Sequence, residues 1–245
     1  MRTISPWQRV GIAAAGTLGL YLLYGVSGLH TARSAAAAVH LHTALDDLVP
    51  FYPPATLAYL LLIAQVYAPV ALIDDWRVIL RGAAGLVGMI GTFLVVWLVF
   101  PVSVPRGPID VNDVFTWGVA LTRYLDPPSN CFPSAHVADS VFVALMVRRV
   151  DRAMGNLLLV SAAIIAWSTV AIHQHWVADG IAGALAAVVA DRVAFSVRPL
   201  PPDALRGGPR GRLGWALGIY AVLFLAAALP WWLHLVDPGN LVGPW

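Results

Sequence analysis

Three residues in this chain have the types and spacing for nucleophilic chemistry: His136, His175 and Asp179. His175 and Asp179 are four apart, so on a helix they share a face. A carboxylate there can accept from one imidazole nitrogen, fix the tautomer and leave the other nitrogen as nucleophile or base. His136 lies in the run Asn130-Cys131-Phe132-Pro133-Ser134-Ala135-His136 and offers a second imidazole, with the Ser134 hydroxyl beside it. His173 is a near neighbour of His175 but points elsewhere on a helix, which makes it a solvated or supporting turn residue. A zinc set of His136, His173, His175 and Asp179 is disfavoured. Histidines two apart both ligate only from an extended segment, and the four-residue histidine spacing of helical zinc sites is missing. The expected site therefore contains no metal and needs no cofactor.

The elements that bring these residues together are legible between them. An apolar segment at Pro133–Val147 is followed by Arg148, Arg149 and Arg152, then by a second apolar segment at Asn156–Ile172. If both cross a bilayer, the chain goes over and comes back, and His136 and His175 meet at one face. Pro133 suits the first turn of a helix, with Ser129 or Asn130 as its cap. That would aim free backbone N–H groups at an anion in front of the helix, as helix N-termini commonly do with phosphate.

Composition fixes the solvent. Charged residues are 11% of the chain, against about 25% in an ordinary soluble domain. Hydrophobic residues are 59% and mean hydropathy is +0.75, so the chain reads as an all-α integral membrane protein, one polytopic domain over 1–245 with a core at about 50–195. A net charge of +2 with scattered basic residues excludes a nucleic-acid partner; the expected partner is the lipid bilayer. Every basic residue is Arg, so any role that calls for Lys must be filled otherwise. Cys131 is the single cysteine, which excludes an intramolecular disulfide and disfavours a cysteine metal site.

Along the chain, the first span is expected at Val10–Leu29, a retained anchor and not a cleaved leader. Residues 31–47 read as an interfacial helix. The second span is expected at Ala55–Ile73 and the third at Gly82–Phe100. Glycines at 82, 85, 88 and 91 give the third a stripe for close helix packing. Residues 101–132 read as a long polar loop, a length that is usually functional. The hairpin supplies spans four and five, a tight turn at 173–176 leads to span six, ending near Phe195, and Leu213–Val236 makes a seventh. With the N-terminus inside, twelve of the fifteen arginines fall in inner loops, and Arg33, Arg106 and Arg123 lie outside. That asymmetry predicts a multi-pass inner-membrane protein with the histidine site facing the periplasm or exterior.

The paired motifs, Asn-Cys-Phe-Pro-Ser-Ala-His and Ser168-Thr169-x5-His175-x3-Asp179, resemble the type 2 phosphatidic acid phosphatase superfamily. The closer resemblance is to its inositol phosphorylceramide synthase-like and sphingomyelin synthase-like branch, over about Pro50 to Ala187. The resemblance implies a metal-independent reaction on a lipid phosphate through a phosphohistidine. In it His175 is the nucleophile, Asp179 its partner, His136 the general acid and Ser134 a phosphate contact. The family's first motif, with its Lys and Arg-Pro, is incomplete here. Arg106 in Phe-Pro-Val-Ser-Val-Pro-Arg stands in its place, with Arg123 in reserve, and Thr169 stands where many members have Arg. Water as acceptor gives a lipid phosphatase, the leading expectation. An alcohol acceptor gives a head-group phosphotransferase, a polyprenyl diphosphate is a further candidate substrate, and a catalytically silent lipid-binding scaffold is the non-enzyme alternative.

Overall fold

The computed structural model describes residues 4–31, 38–126, 128–197 and 200–205, with scattered positions between 214 and 233. The described residues hold seven α-helices: α1 (Pro6–Thr31), α2 (Thr56–Leu72), α3 (Trp76–Val99), α4 (Val114–Leu125), α5 (Ala135–Val150), α6 (Arg152–Ala171) and α7 (Val177–Phe195). Among them Pro53–Leu72, Trp76–Val99 and Arg152–Ala171 are long and apolar enough to cross a membrane. The outward faces of α3, α6 and α7 carry exposed aliphatic side chains such as Val87, Val95, Val160, Leu185 and Val189. In water such a surface would be a liability; against lipid it is the expected one. Most of the seventh expected span, Leu213–Val236, lies outside the described residues.

Helix α5 is the centre of the bundle and packs against α6, α7, α2 and α3. Its inward residues Ala138, Phe142, Val143 and Met146 are buried. Asp151 ends α5 and caps α6, accepting from Met154 N, so one residue makes the turn of the hairpin. Gln65 of α2 is buried, and its amide donates to Ser140 O at 2.8 Å and Leu158 O at 2.9 Å. One side chain thereby joins α2, α5 and α6. Interhelical polar contacts of this kind contribute about 1 kcal/mol each in membrane bundles.

The glycine stripe of α3 serves packing over half its length. A Cβ at Gly82 would lie 2.3 Å from Met146 Sδ, and one at Gly85 would lie 2.8 Å from Phe142. Gly88 and Gly91 face open space. The more consequential glycine is in α7, where a Cβ at Gly183 would lie 2.4 Å from Ser134 O. Backbone cannot swing aside as a side chain does, so Gly183 sets how closely α7 approaches the start of α5. Gly183→Ala is expected to push the two helices apart and cost about 1–3 kcal/mol. A lowered unfolding temperature in detergent, with activity reduced alongside, is the check; an unchanged melting point would refute the close-approach argument.

Three expectations need correction. Residues 38–43 form no helix. Val39 bridges Val102, and Val102 in turn bridges Asn130. The polar side chains meant for an interfacial helix are spent elsewhere: Asp46 accepts from Thr43 N and Thr43 Oγ1, and reaches across to α7. Second, the long loop contains α4, opened by Asp113, which accepts from Phe115 N and Thr116 N while Thr116 Oγ1 accepts from Asp113 N. An Asp three residues before a Thr at the head of an apolar run was the overlooked N-cap signal. Third, α5 is capped by Ser134, which accepts from Val137 N, and not by Ser129 or Asn130, so Pro133 precedes the cap.

Candidate active site

The N-termini of α5 and α7 and the C-terminus of α6 meet at one end of the bundle. The opposite end is tied by ion pairs: Arg9 with Asp74, Arg77 with Asp75 and Asp203, and Arg149 with Asp191. Between α6 and α7 the chain turns within five residues. His173 takes a left-handed conformation, φ 56°, which a non-glycine residue adopts uncommonly. Thr169 O accepts from both Gln174 N (2.9 Å) and His175 N (3.2 Å), so the turn is held from beneath.

This turn brings the two motifs into contact. His136 Nδ1 lies 3.1 Å from His175 Nε2. His175 Nδ1 lies 3.4 Å from Asp179 Oδ2. All three residues are buried, Asp179 completely. Asp179 Oδ2 also accepts from Trp176 N at 2.8 Å, and Asp179 O accepts from Ser134 N at 3.0 Å, which locks the head of α7 to the head of α5. The other nitrogen of His136, Nε2, is 2.5 Å from the Tyr59 hydroxyl of α2. The tyrosine holds the ring with Nδ1 turned toward His175.

Of the two arginines expected as phosphate ligands, Arg106 reaches the α6–α7 turn itself. Its Nη1 donates to Asp126 O at 2.7 Å and its Nη2 to Gln174 Oε1 at 2.5 Å, next in sequence to His175. Arg123 donates to Gly107 O and sits over the Phe51 ring. Both guanidinium groups bury an Nε–H that has no acceptor. Burial, and then Arg106, bring the Arg123 guanidinium down to about 10. Two cations this close, with donors unspent, make a site that would welcome an anion. Ser134 is fully buried at the head of α5, its hydroxyl oxygen accepting from Val137 N. Thr169 is placed differently from the others. Its hydroxyl donates to Ala166 O and its carbonyl holds the turn, so it positions His175 from within the helix.

Four residues that sequence reasoning did not single out belong to this arrangement. Tyr59 comes from an apolar run 77 positions from His136, where nothing marks it. Gln174 is buried with its Nε2 unpartnered, and its position beside His175 was the available signal. Asp126 is buried against Arg106; burial pushes its carboxyl up, and Arg106 pulls it back. Asp46 accepts from Val177 N at 2.7 Å and so places a carboxylate at the positive end of α7. His173 stacks near Phe51, and burial, aided by Arg123, lowers its imidazole.

Cys131, His175 and Asp179 each put one potential ligand atom within 4.8 Å of the others. The thiol does not suit a metal. It donates to Pro128 O and Gln174 O, and burial raises it well above the usual thiol range, whereas a metal takes the thiolate.

The family model of the PAP2 superfamily matches residues 84–200. The matched stretch runs from within α3 to just beyond α7 and contains Arg106, His136, His175 and Asp179. It agrees with the resemblance of the two motifs at the level of the superfamily. No curated protein and no solved structure matches the chain.

Proposed function

We propose that this protein is a membrane phosphatase of the PAP2 superfamily that acts on a lipid phosphate through a phosphohistidine. The observation that carries the reading is the contact series Asp179–His175–His136 at the α6–α7 turn, which Arg106 reaches through Gln174. A phosphoryl group enters between the two imidazoles, displacing their contact, with its oxygens toward Arg106, Arg123 and the Ser134 hydroxyl. His175 Nε2 attacks phosphorus, the bond from phosphorus to the lipid oxygen breaks, and His136 Nδ1–H gives its proton to the departing alkoxide. Water then attacks the phosphohistidine, yielding its proton to His136 and releasing phosphate. Asp179 Oδ2 stands beside His175 Nδ1 without a hydrogen bond to it in the resting structure, and in the reaction it accepts from Nδ1–H, which leaves Nε2 as the nitrogen with the free lone pair. The 3.4 Å separation of that pair is a resting distance that closes as positive charge grows on the ring. The arginine asymmetry supports an outward-facing site.

The test is to offer purified protein a panel of lipid phosphates with and without alcohol acceptors, following free phosphate and new head-group lipids together. Phosphate release that EDTA leaves unchanged is the expected result. Product appearing only as a new phosphodiester would replace the phosphatase by a phosphotransferase. Activity lost to EDTA and restored by zinc or magnesium would overturn the histidine mechanism.

A further inference from the structure

One ionisable group near the histidines has no part in that mechanism. Asp139 stands three residues after His136 on α5, about 4.5 Å further along the axis, and so deeper in the bundle. It is 5% exposed, and its Oδ1 is buried with no hydrogen-bond partner. It lines a cavity of about 250 Å³ between α2, α4 and α5 that also contains His136 and Asp126. The remaining wall is chiefly aliphatic. Leu60, Ile63 and Val66 of α2 follow one another at helical spacing, and Leu125 of α4 faces them across the gap. These side chains are half-exposed or exposed, so the cavity opens sideways onto the lipid-facing surface.

Such a cavity suits a chain leaving the phosphorylated head, except at Asp139. A carboxyl pressed against a plain hydrocarbon chain leaves a buried polar oxygen unpaired, which costs about 1–3 kcal/mol. The same carboxyl becomes favourable if the ligand carries a hydrogen-bonding group at that depth. We propose that Asp139 is a substrate-binding residue that recognises a polar group a few bonds from the phosphoester, selecting an acylated glycerol or sphingoid phosphate over a plain-chain phosphate. This rests on the phosphatase reading above. A carboxyl can donate to an ester carbonyl or accept from a hydroxyl or amide N–H, so both lipid types share the required chemistry. A polyprenyl phosphate has only carbon at the corresponding place.

The experiment compares kcat/KM for phosphatidic acid, ceramide phosphate and a polyprenyl monophosphate at equal surface concentration in mixed micelles, using wild type, D139L and D139N. Wild type is expected to favour one or both polar lipids over the polyprenyl substrate by about tenfold or more, the scale of one well-made hydrogen bond. D139L should erase that preference by losing activity on the polar lipids and keeping or gaining it on the polyprenyl chain. D139N, which can both donate and accept, should retain the preference. The polar lipid on which D139L falls further identifies the group Asp139 reads. Equal wild-type rates on all three substrates, or a uniform loss in D139L, would overturn the proposal while leaving the phosphatase standing. Loss of the preference in D139N would also overturn it, and that variant is isosteric and decides the matter if D139L does not fold. Absence of phosphate release from every lipid would instead remove the phosphatase reading, and this proposal with it.

Discussion

His175→Ala is expected to form neither phosphoenzyme nor product with any substrate, whereas His136→Ala fails selectively. The difference follows from what each ring does. His175 Nε2 makes the bond to phosphorus, so its removal leaves nothing to carry the phosphoryl group. His136 supplies a proton, and the need for that proton depends on the leaving group. A lipid alkoxide leaves poorly unless protonated; a nitrophenolate leaves with little help. General acid catalysis is worth about 10²–10⁴-fold. His136→Ala should lose about that much on a lipid phosphate and far less on an aryl phosphate. Both variants would be measured on both substrates after each is shown to be folded in detergent. Equal losses for His136→Ala would make that residue a phosphate ligand and not the acid. Substantial turnover by His175→Ala would remove the nucleophile from the scheme.

The second large effect is expected at Arg106. Its side chain touches Gln174 and Asp126 and lies next to the nucleophile, and its Nε–H is buried without an acceptor. A preorganised donor on a developing oxyanion is worth about 10²–10³ in kcat. Arg106→Ala should lose that much, and Arg106→Lys should recover little, because one ammonium cannot replace the planar fork. Arg123→Ala should lose less, since that guanidinium is committed to Gly107 O and the Phe51 ring. A readout besides rate is binding. Inorganic phosphate should raise the melting temperature of the wild type and leave Arg106→Ala unmoved. If Arg106→Ala turns over within a few-fold of wild type, the phosphate clamp lies elsewhere.

Much of the candidate site is legible in the sequence alone, because the two motifs are local and a membrane restricts what a chain can do between them. Two apolar runs joined by an arginine-rich turn must return the chain to the face it left. That His136 and His175 come to the same end of the bundle then follows from helix length; their contact depends on the α6–α7 turn. Asp179 four residues after His175 is likewise a matter of helical repeat. Arg106 enters through the family resemblance, as the residue standing where the first motif should be, with Arg123 in reserve.

What the sequence leaves open are contacts between distant segments that have no periodic signature. Tyr59 on His136, Asp46 at the head of α7 and Gln174 against Arg106 depend on which helices pack together and at what separation. Gly183 against Ser134 sets one of those separations, yet in sequence it is one of two glycines in an apolar run. The interfacial helix expected at residues 31–47 fails in its described part for the same reason. Local propensity favours a helix, but pairing with Val102 and capping of α7 use the same backbone and side chains. Asp139 is the sharpest case. Nothing near it in sequence separates a cavity from a packed core, and only the arrangement of α2, α4 and α5 leaves Asp139 lining one.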